Sequence, residues 1–313
     1  MPTPAAHRLW PAPAKLNLTL RVLGRRADGY HRLQTVFQFL DHGDQIRIEP
    51  RSEGAVRRRS CLPGVPEEAD LVVRAARLLQ SATGCRAGAD IWVDKRLPLG
   101  GGLGGGSSNA ATVLVALNQL WGTGLSSAEL ADLGLTLGAD VPVFVHGRAA
   151  WGEGVGEELT PVELPEPWYL VLVPDCSVST ASVFSDPDLT RDSAPITITD
   201  FVAGDGRNDC RPVVERRYPE VAAGLAWLAR HGQARLTGTG ACVFTALADE
   251  QRARRALAEV PPRFGAFVAR GRNRSPLFDQ DRGDRSAPAE PSIPAGIDET
   301  PSCPSRHWGV AKR

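Results

Sequence analysis

The chain has 313 residues, and its 36 basic residues balance 36 acidic ones, so the formal net charge is zero. This balance favours neither nucleic acid nor an acidic membrane surface, and we expect neither as a partner. No apolar run approaches the roughly 18 residues that a membrane-spanning helix needs. The proline-rich start lacks the apolar core of a signal peptide, so we expect a cytoplasmic protein.

The first predicted element is a strand, "AKLNLTLRVL", in which polar and apolar side chains alternate. Alternation puts Lys15 and Asn17 on one face, about 7 Å apart along the strand. Only three of the basic residues are lysines: Lys15, Lys95 and Lys312. A lysine kept in so arginine-rich a chain indicates a tight site that a guanidinium would not fit, although chance survival on a solvated face is the alternative.

An Asp-Gly turn in "RRADGY" follows, and "HRLQTVFQFL" and "DQIRIEP" are predicted as two further strands of an antiparallel meander. A helix over "DLVVRAARLLQ" comes next. The strand "ADIWVDKRLP" then leads into a loop in which six of the seven residues from Gly100 to Gly106 are glycine. An apolar helical pattern starts directly after this loop, which argues against a flexible linker. Unpaired backbone N–H groups at a helix start bind phosphate, so the loop predicts a phosphate site.

Further along, "LSSAELADLGL" predicts a helix whose Ser126 and Glu129 form a capping box, while "LGADVPVFV" remains unassigned. Strands and helices continue to about residue 280, including a glycine turn in "RLTGTGACVF". The pattern predicts an α+β fold with two domains, residues 1–163 and 164–280. Residues 281–313 are rich in proline and lack periodicity, so we expect a disordered tail there.

Several phosphate-binding motifs do not fit the loop. The lysine of a Walker A loop is missing before Ser107 and Ser108. A dinucleotide fingerprint matches only trivially, since no acidic residue lies between Lys95 and Glu129 to hold a ribose. The HRD and DFG signatures of protein kinases are absent. The six cysteines show no CxxC spacing and predict no zinc site.

The chain resembles the GHMP small-molecule kinases, from about residue 9 to 279. The resemblance is carried by "AKLNLTLRVLGRRADGYHRLQTVFQ", "DKRLPLGGGLGGGSSNAATVLVALN", "LGADVPVFV" and "RLTGTGACVF". It implies an N-terminal domain like the second domain of ribosomal protein S5 and a ferredoxin-like C-terminal domain. The Gly-Tyr-His stretch resembles members whose substrate is cytidine diphosphate-linked methylerythritol.

The implied reaction is phosphorylation of the 2-hydroxyl group of that substrate by ATP, with Mg²⁺, in the non-mevalonate isoprenoid route. The alternatives are a GHMP kinase of the homoserine or mevalonate type, a dinucleotide-dependent oxidoreductase, and a nucleotide-binding module without chemistry. We expect a small-molecule substrate and a monomer or weak homodimer; the sequence does not identify metal ligands.

The resemblance also implies the site residues. Asp140 is the expected general base and Lys15 its catalytic partner. The expected nucleotide-binding residues are Asp70, Lys95, Pro98, Gly100, Gly101, Gly102, Leu103, Gly104, Gly105, Gly106, Ser107 and Ser108. The expected substrate-binding residues are Asn17, Tyr30, His31, Phe37, Thr180, Phe184, Gly238 and Gly240.

Each assignment has a structural alternative. Ser107 and Ser108 are both candidate helix caps, and Asp140 has the alternative of an ordinary cap or turn residue. Tyr30 and Phe184 would offer ring faces to the cytosine, and His31 a hydrogen bond. Asp70 stands where the family has an asparagine. The segment "SVSTASVF" around Thr180 lacks the usual prolines, so both of these positions depart from the family pattern.

Overall fold

The computed structural model describes residues 8–204 and 206–282. The first half of the chain contains β1 (Leu9–Arg25), β2 (His31–Arg51), β3 (Val56–Arg58), α1 (Leu71–Thr83), β4 (Gly88–Asp94), α2 (Gly105–Leu120), α3 (Ser127–Leu135), α4 (Val141–His146), β5 (Ala150–Glu153) and β6 (Glu158–Pro161). The second half contains β7 (Trp168–Val173), α5 (Thr180–Phe184), α6 (Ile198–Val202), α7 (Arg211–Arg217), α8 (Pro219–Leu228), β8 (Arg235–Leu236), β9 (Val243–Leu247), α9 (Glu250–Ala258) and β10 (Gly265–Arg272).

A short 3₁₀ helix, Pro276–Arg282, follows β10 and extends two residues into the segment predicted as a tail. The rest of that segment, 283–313, lies outside the described residues.

The strand β2 is a single strand of 21 residues, so the prediction of two separate strands is wrong. It runs antiparallel to β1, with Lys15 opposite Phe39 and Asn17 opposite Phe37. The continuity depends on Gly43, where a side chain would overlap the carbonyl group of Ala12 on β1. The polar stretch "DHGD" is therefore a close crossing between two strands and not a turn.

In the described part of the chain, ten strands join into one sheet system. Its main path runs β3-β4-β2-β10-β7-β9-β8, with β1 and β5 also paired to β2 and β6 paired to β5. The last strand, β10, pairs with β7 along most of its length and with β2 at its end. It thus connects the sheet of the first half to the sheet of the second, confirming the α+β class.

The buried apolar residues form separate clusters in the first and second halves of the chain. One cluster packs α1, α2 and α4 against β2 and β4, and a second packs α7 and α8 against β7 and β9. A third cluster lies between them, where Leu16 of β1 and Leu103 of the glycine loop meet Val171 of β7 and Phe244 of β9. This central cluster fixes the glycine loop between the two halves.

Local sequence explains the short helices around the site. The capping box of Ser126 and Glu129 at the start of α3 is confirmed. The previously unassigned segment is α4, which has Pro142 in its first turn and ends at Gly147 with φ +62°. Within the described ranges, no helix is long and apolar enough to cross a membrane.

Candidate active site

The glycine loop approaches the backbone of the second half so closely that side chains would not fit. Gly102 has φ +75°, and a Cβ atom there would overlap the carbonyl oxygen of Thr237. Gly104 has φ +71°, and a Cβ atom would lie 2.8 Å from the Phe144 ring and 3.0 Å from Cε of Lys15. The loop is therefore a closely packed turn that accepts only glycine at these two positions, and it leads directly into α2.

The residue that caps α2 is Gly104, which brings no side-chain hydrogen bond. Ser107 and Ser108 lie inside the first turn, so interpreting them as helix caps is wrong. The physical reason is that Gly104 adopts a left-handed conformation and lets the helix begin earlier. Ser108 is buried, and its Oγ has no hydrogen-bond partner, which leaves a polar atom available beside the amides of the first turn.

A buried ion pair lies beneath the start of α2. Lys95 Nζ is 2.5 Å from Oδ2 of Asp44, which is fully buried. Oδ1 of Asp44 accepts hydrogen bonds from the amides of Arg96 and Leu97, at 2.7 and 2.8 Å. The ammonium group of Lys95 lies 3.1 Å from where a Cβ atom of Gly105 would stand. Asp44, which the sequence interpretation missed, thus positions Lys95 against the helix start.

The other predicted loop residues have mainly structural contacts. Pro98 packs beneath Gly101, where a Cβ atom would lie 3.0 Å from its ring. The side chain of Leu103 is in the central core, and its carbonyl oxygen accepts a hydrogen bond from the Lys15 amide at 3.0 Å. Gly100 has φ +68°, whereas Gly106 is exposed and a Cβ atom there would meet only Leu71 at 3.4 Å.

Lys15 and Asp140 meet at this loop. Lys15 Nζ is 3.2 Å from Oδ2 of Asp140, with the lysine side chain 3% exposed and the aspartate side chain 35% exposed. Asp140 stands at the N-cap position of α4 but makes no capping hydrogen bond. Its carboxylate pairs with the lysine and remains partly open, which the alternative of an ordinary cap does not explain.

Asn17 orients the ammonium group of Lys15. Its Oδ1 accepts from Lys15 Nζ at 2.5 Å, and its Nδ2 donates to Thr35 Oγ1 at 2.8 Å. The predicted common face of Lys15 and Asn17 is confirmed. The backbone N–H group of Asn17 donates to Thr237 Oγ1 at 3.0 Å. The Thr237 hydroxyl in turn donates to the carbonyl oxygen of Gly102 at 3.1 Å. Thr35 and Thr237 are further residues that the sequence interpretation missed.

The second glycine turn lies against the first. At Gly238 (φ +55°) a Cβ atom would be 3.3 Å from Oδ1 of Asn17, and Gly240 has φ +88°. Between them, Thr239 Oγ1 lies 3.0 Å from Thr180 Oγ1 at the start of α5. Gly238 thus lies beside Asn17, the residue that holds Lys15, and Thr180 contacts the same glycine turn through Thr239.

The predicted aromatic residues lie at the junction of β2 and α5. The His31 and Phe184 rings stack with their centroids 5.0 Å apart and their planes 28° apart. Tyr30 is 65% exposed beside them. Arg191, also missed, donates from Nε to His31 Nε2 at 3.3 Å. Burial, followed by the positive charges of Arg191 and Arg25, lowers the pKa of His31 from its usual value.

Two predicted residues have clear structural partners. Phe37 is 1% exposed, and its ring centroid lies 5.3 Å from Lys15 Nζ. Asp70 caps α1 by accepting from the Val72 amide at 3.0 Å, and its other oxygen accepts from Arg58 at 2.7 Å. Both Asp70 oxygens are thus engaged within the protein. In the described part of the chain, no three His, Cys, Asp or Glu side chains cluster as metal ligands.

Comparisons with known proteins identify the family of the chain. Residues 70–148 match the GHMP kinases N terminal domain, and residues 200–266 match the GHMP kinases C terminal family. A protein of Alkalilimnicola ehrlichii named 4-diphosphocytidyl-2-C-methyl-D-erythritol kinase is 61% identical over 90% of this chain and 98% of its own. One of the same name from Pseudomonas paraeruginosa is 60% identical over 85% of this chain and 95% of its own.

Solved structures give the same result. A crystal structure of 4-(cytidine 5'-diphospho)-2C-methyl-D-erythritol kinase has a TM-score of 0.74 at 33% identity and covers 84% of this chain and 99% of its own. The mevalonate kinase of Methanococcus jannaschii has a TM-score of 0.60 at 16% identity, covering 87% of this chain and 99% of its own, and shares the fold alone. The chain therefore belongs to the GHMP kinase family, in the branch that contains these 4-diphosphocytidyl-2-C-methyl-D-erythritol kinases.

Proposed function

We propose that this chain transfers the γ-phosphoryl group of ATP to the 2-hydroxyl group of 4-diphosphocytidyl-2-C-methyl-D-erythritol, a step in isoprenoid precursor synthesis. The proposal rests on one observation above all: the Lys15–Asp140 pair, at 3.2 Å, lies directly beside a glycine loop at a helix start. High identity to relatives of that name supports the choice of substrate.

The glycine loop supplies backbone amides for the nucleotide. The residues fit a triphosphate because α2 begins at Gly104 without a capping side chain over its first amides, and because Ser108 Oγ is buried without a partner. When bound, ATP supplies the phosphoryl group and Mg²⁺ offsets the charge of its phosphates. We propose that Ser107 and Ser108 contact a phosphate or the metal ion, and that Lys95, held by Asp44, adds positive charge at the helix start.

The Lys15–Asp140 pair handles the acceptor. We propose that the Asp140 carboxylate accepts the proton of the substrate hydroxyl group as general base. The Lys15 ammonium, fixed by Asn17, offers positive charge to the oxygen atoms that become more negative as the bond forms. General-base assistance of this kind contributes roughly 10² to 10⁴-fold, and positioning by the loop supplies much of the rest.

The far end of the substrate requires a second subsite. We propose that Tyr30, His31 and Phe184 bind the cytosine base, since stacking of one base on an aromatic ring contributes about 1–3 kcal/mol. Thr180, Gly238 and Gly240 would line the path between this subsite and Asp140. The ring of Phe37 packs near Lys15 Nζ. Asp70, which caps α1, would lie on the side of the site that binds adenine.

The substrate is tested with γ-labelled ATP and three acceptors: the diphosphocytidyl alcohol, homoserine and mevalonate. We expect label transfer to the first, with kcat/KM at least about 10²-fold above the other two, and inhibition by CDP. Preferred transfer to homoserine or mevalonate would establish the alternative GHMP activity. Absence of transfer to any acceptor, with ATP still bound, would indicate a nucleotide-binding module.

We also propose that the protein acts in the cytoplasm as a monomer or weak homodimer, without nucleic acid or membrane partners. A balanced net charge supports the absence of polyanionic partners. Sedimentation velocity over a range of protein concentrations tests the oligomeric state, and a stable larger assembly would contradict it.

A further inference from the structure

One guanidinium group, that of Arg191, links several segments of the proposed base-binding subsite. Arg191 donates from Nη2 to the carbonyl oxygens of Phe184 and Asp186, at 2.9 and 2.7 Å, and from Nη1 to that of Leu189 at 3.1 Å. Its Nε donates to His31 Nε2 at 3.3 Å. The same side chain thus fixes the end of α5, the loop that follows it, and the imidazole on β2.

These contacts determine which tautomer His31 adopts. A guanidinium group carries only donors, so Nε2 of His31 must act as an acceptor and carry no hydrogen. The neutral imidazole then holds its hydrogen on Nδ1. The ring of Phe184 stacks on this imidazole with the centroids 5.0 Å apart, so the orientation of the imidazole plane is restrained as well as its tautomer.

We propose that Arg191 is a positioning residue that makes His31 a fixed Nδ1–H donor and thereby selects a cytosine over a uracil. The ring nitrogen N3 of cytosine accepts a hydrogen bond, whereas N3 of uracil carries a hydrogen. We place the Nδ1–H group against N3, where a donor suits cytosine and opposes uracil; against the exocyclic group at position 4 it would have the opposite preference, so tighter binding of UDP by the wild type would overturn the inference. This inference rests on the proposed function, which supplies the cytidyl substrate.

The chain offers a matched control in Arg216. Its guanidinium binds Asp186 at 2.9 Å and Asp188 at 2.8 Å, so it anchors the same loop without touching His31. If Arg191 merely holds the loop, Arg216→Met should cause the same loss of preference for CDP over UDP. If Arg191 fixes the tautomer of His31, only Arg191→Met should cause that loss.

The test uses the full chain and two probes, CDP and UDP. Their dissociation constants are measured by calorimetry for the wild type, Arg191→Met and Arg216→Met, and the His31 tautomer is read from ¹⁵N NMR of labelled histidine. We expect an Nδ1–H tautomer and tighter binding of CDP in the wild type and in Arg216→Met. In Arg191→Met we expect loss of that tautomer and at least about a fivefold fall in the CDP-to-UDP preference.

An Nε2–H tautomer in the wild type overturns the inference, whether or not Arg191→Met folds. Equal losses of preference in the two arginine variants overturn it as well. Failure of the wild type to phosphorylate the diphosphocytidyl alcohol would instead overturn the proposed function. The two failures are separate because the tautomer and the CDP-to-UDP ratio are measured without any phosphoryl transfer.

Discussion

Substituting Gly104 by alanine tests whether the glycine loop and Lys15 form one unit. Gly104 has φ +71°, and the added methyl group would lie 2.8 Å from the Phe144 ring and 3.0 Å from Cε of Lys15. Neither neighbour is free to withdraw, because Phe144 is fully buried and Lys15 is 3% exposed. The substitution must therefore displace the loop, the lysine or both.

The size of the effect can be divided into two parts. A left-handed conformation costs an alanine about 1–2 kcal/mol relative to glycine. Overpacking of a closely packed region adds about 1–3 kcal/mol. Gly124→Ala is the matched control, since Gly124 also has a positive φ (+73°) but no atom within 4 Å of the added Cβ. It should show the first cost alone.

Urea unfolding and steady-state kinetics measure the two consequences. We expect the free energy of unfolding to fall by about 2–5 kcal/mol in Gly104→Ala and by about 1–2 kcal/mol in Gly124→Ala. We expect kcat/KM for ATP to fall about 10²-fold in Gly104→Ala only, because a displacement near 1 Å at a reacting centre has that effect. Equal destabilisation of the two variants, with kinetics unchanged in both, would refute this reasoning.

Asp44→Asn should lower the free energy of unfolding by about 3 kcal/mol, because it removes the charge partner of buried Lys95. The same change should raise KM for ATP. An unchanged urea denaturation curve would contradict this. Lys15→Arg should lower kcat by at least about 10²-fold, since a planar guanidinium does not fit the site of a point charge; near-normal kcat in steady-state assays would show that only the charge matters. The rise in KM for the cytidyl substrate as pH falls should be centred below pH 6.5, because the pKa of His31 lies below its usual value. Protonation would then remove the acceptor that Arg191 uses; a rise in KM centred above pH 6.5 would contradict that sign.

Local patterns were sufficient to predict several parts of the site. Alternation along β1 correctly put Lys15 and Asn17 on one face, and the glycine run correctly indicated a backbone turn before α2. The same local reasoning failed at Ser107 and Ser108, because cap preferences assume a side-chain cap and Gly104 begins the helix without one. A residue chosen for its conformation leaves no polar signal to identify the boundary.

Long-range partners were beyond such patterns. Asp44 and Lys95 are 51 residues apart, and His31 and Arg191 are 160 apart. Nothing local distinguishes Arg191 from a solvated charged residue. For Asp44 the one available signal was its position at the start of an apolar strand pattern, "DQIRIEP", where an acidic residue is costly to bury unless it is paired.

The most direct test of the central claim compares single-turnover phosphoryl transfer by the wild type, Asp140→Asn and Asp132→Asn, the last a change at an exposed aspartate of α3. The substrates are γ-labelled ATP and the diphosphocytidyl alcohol. We predict that transfer slows by at least about 10²-fold in Asp140→Asn while the affinity for ATP stays within about twofold. We predict that Asp132→Asn matches the wild type. Transfer by Asp140→Asn at a rate close to that of the wild type would contradict the account.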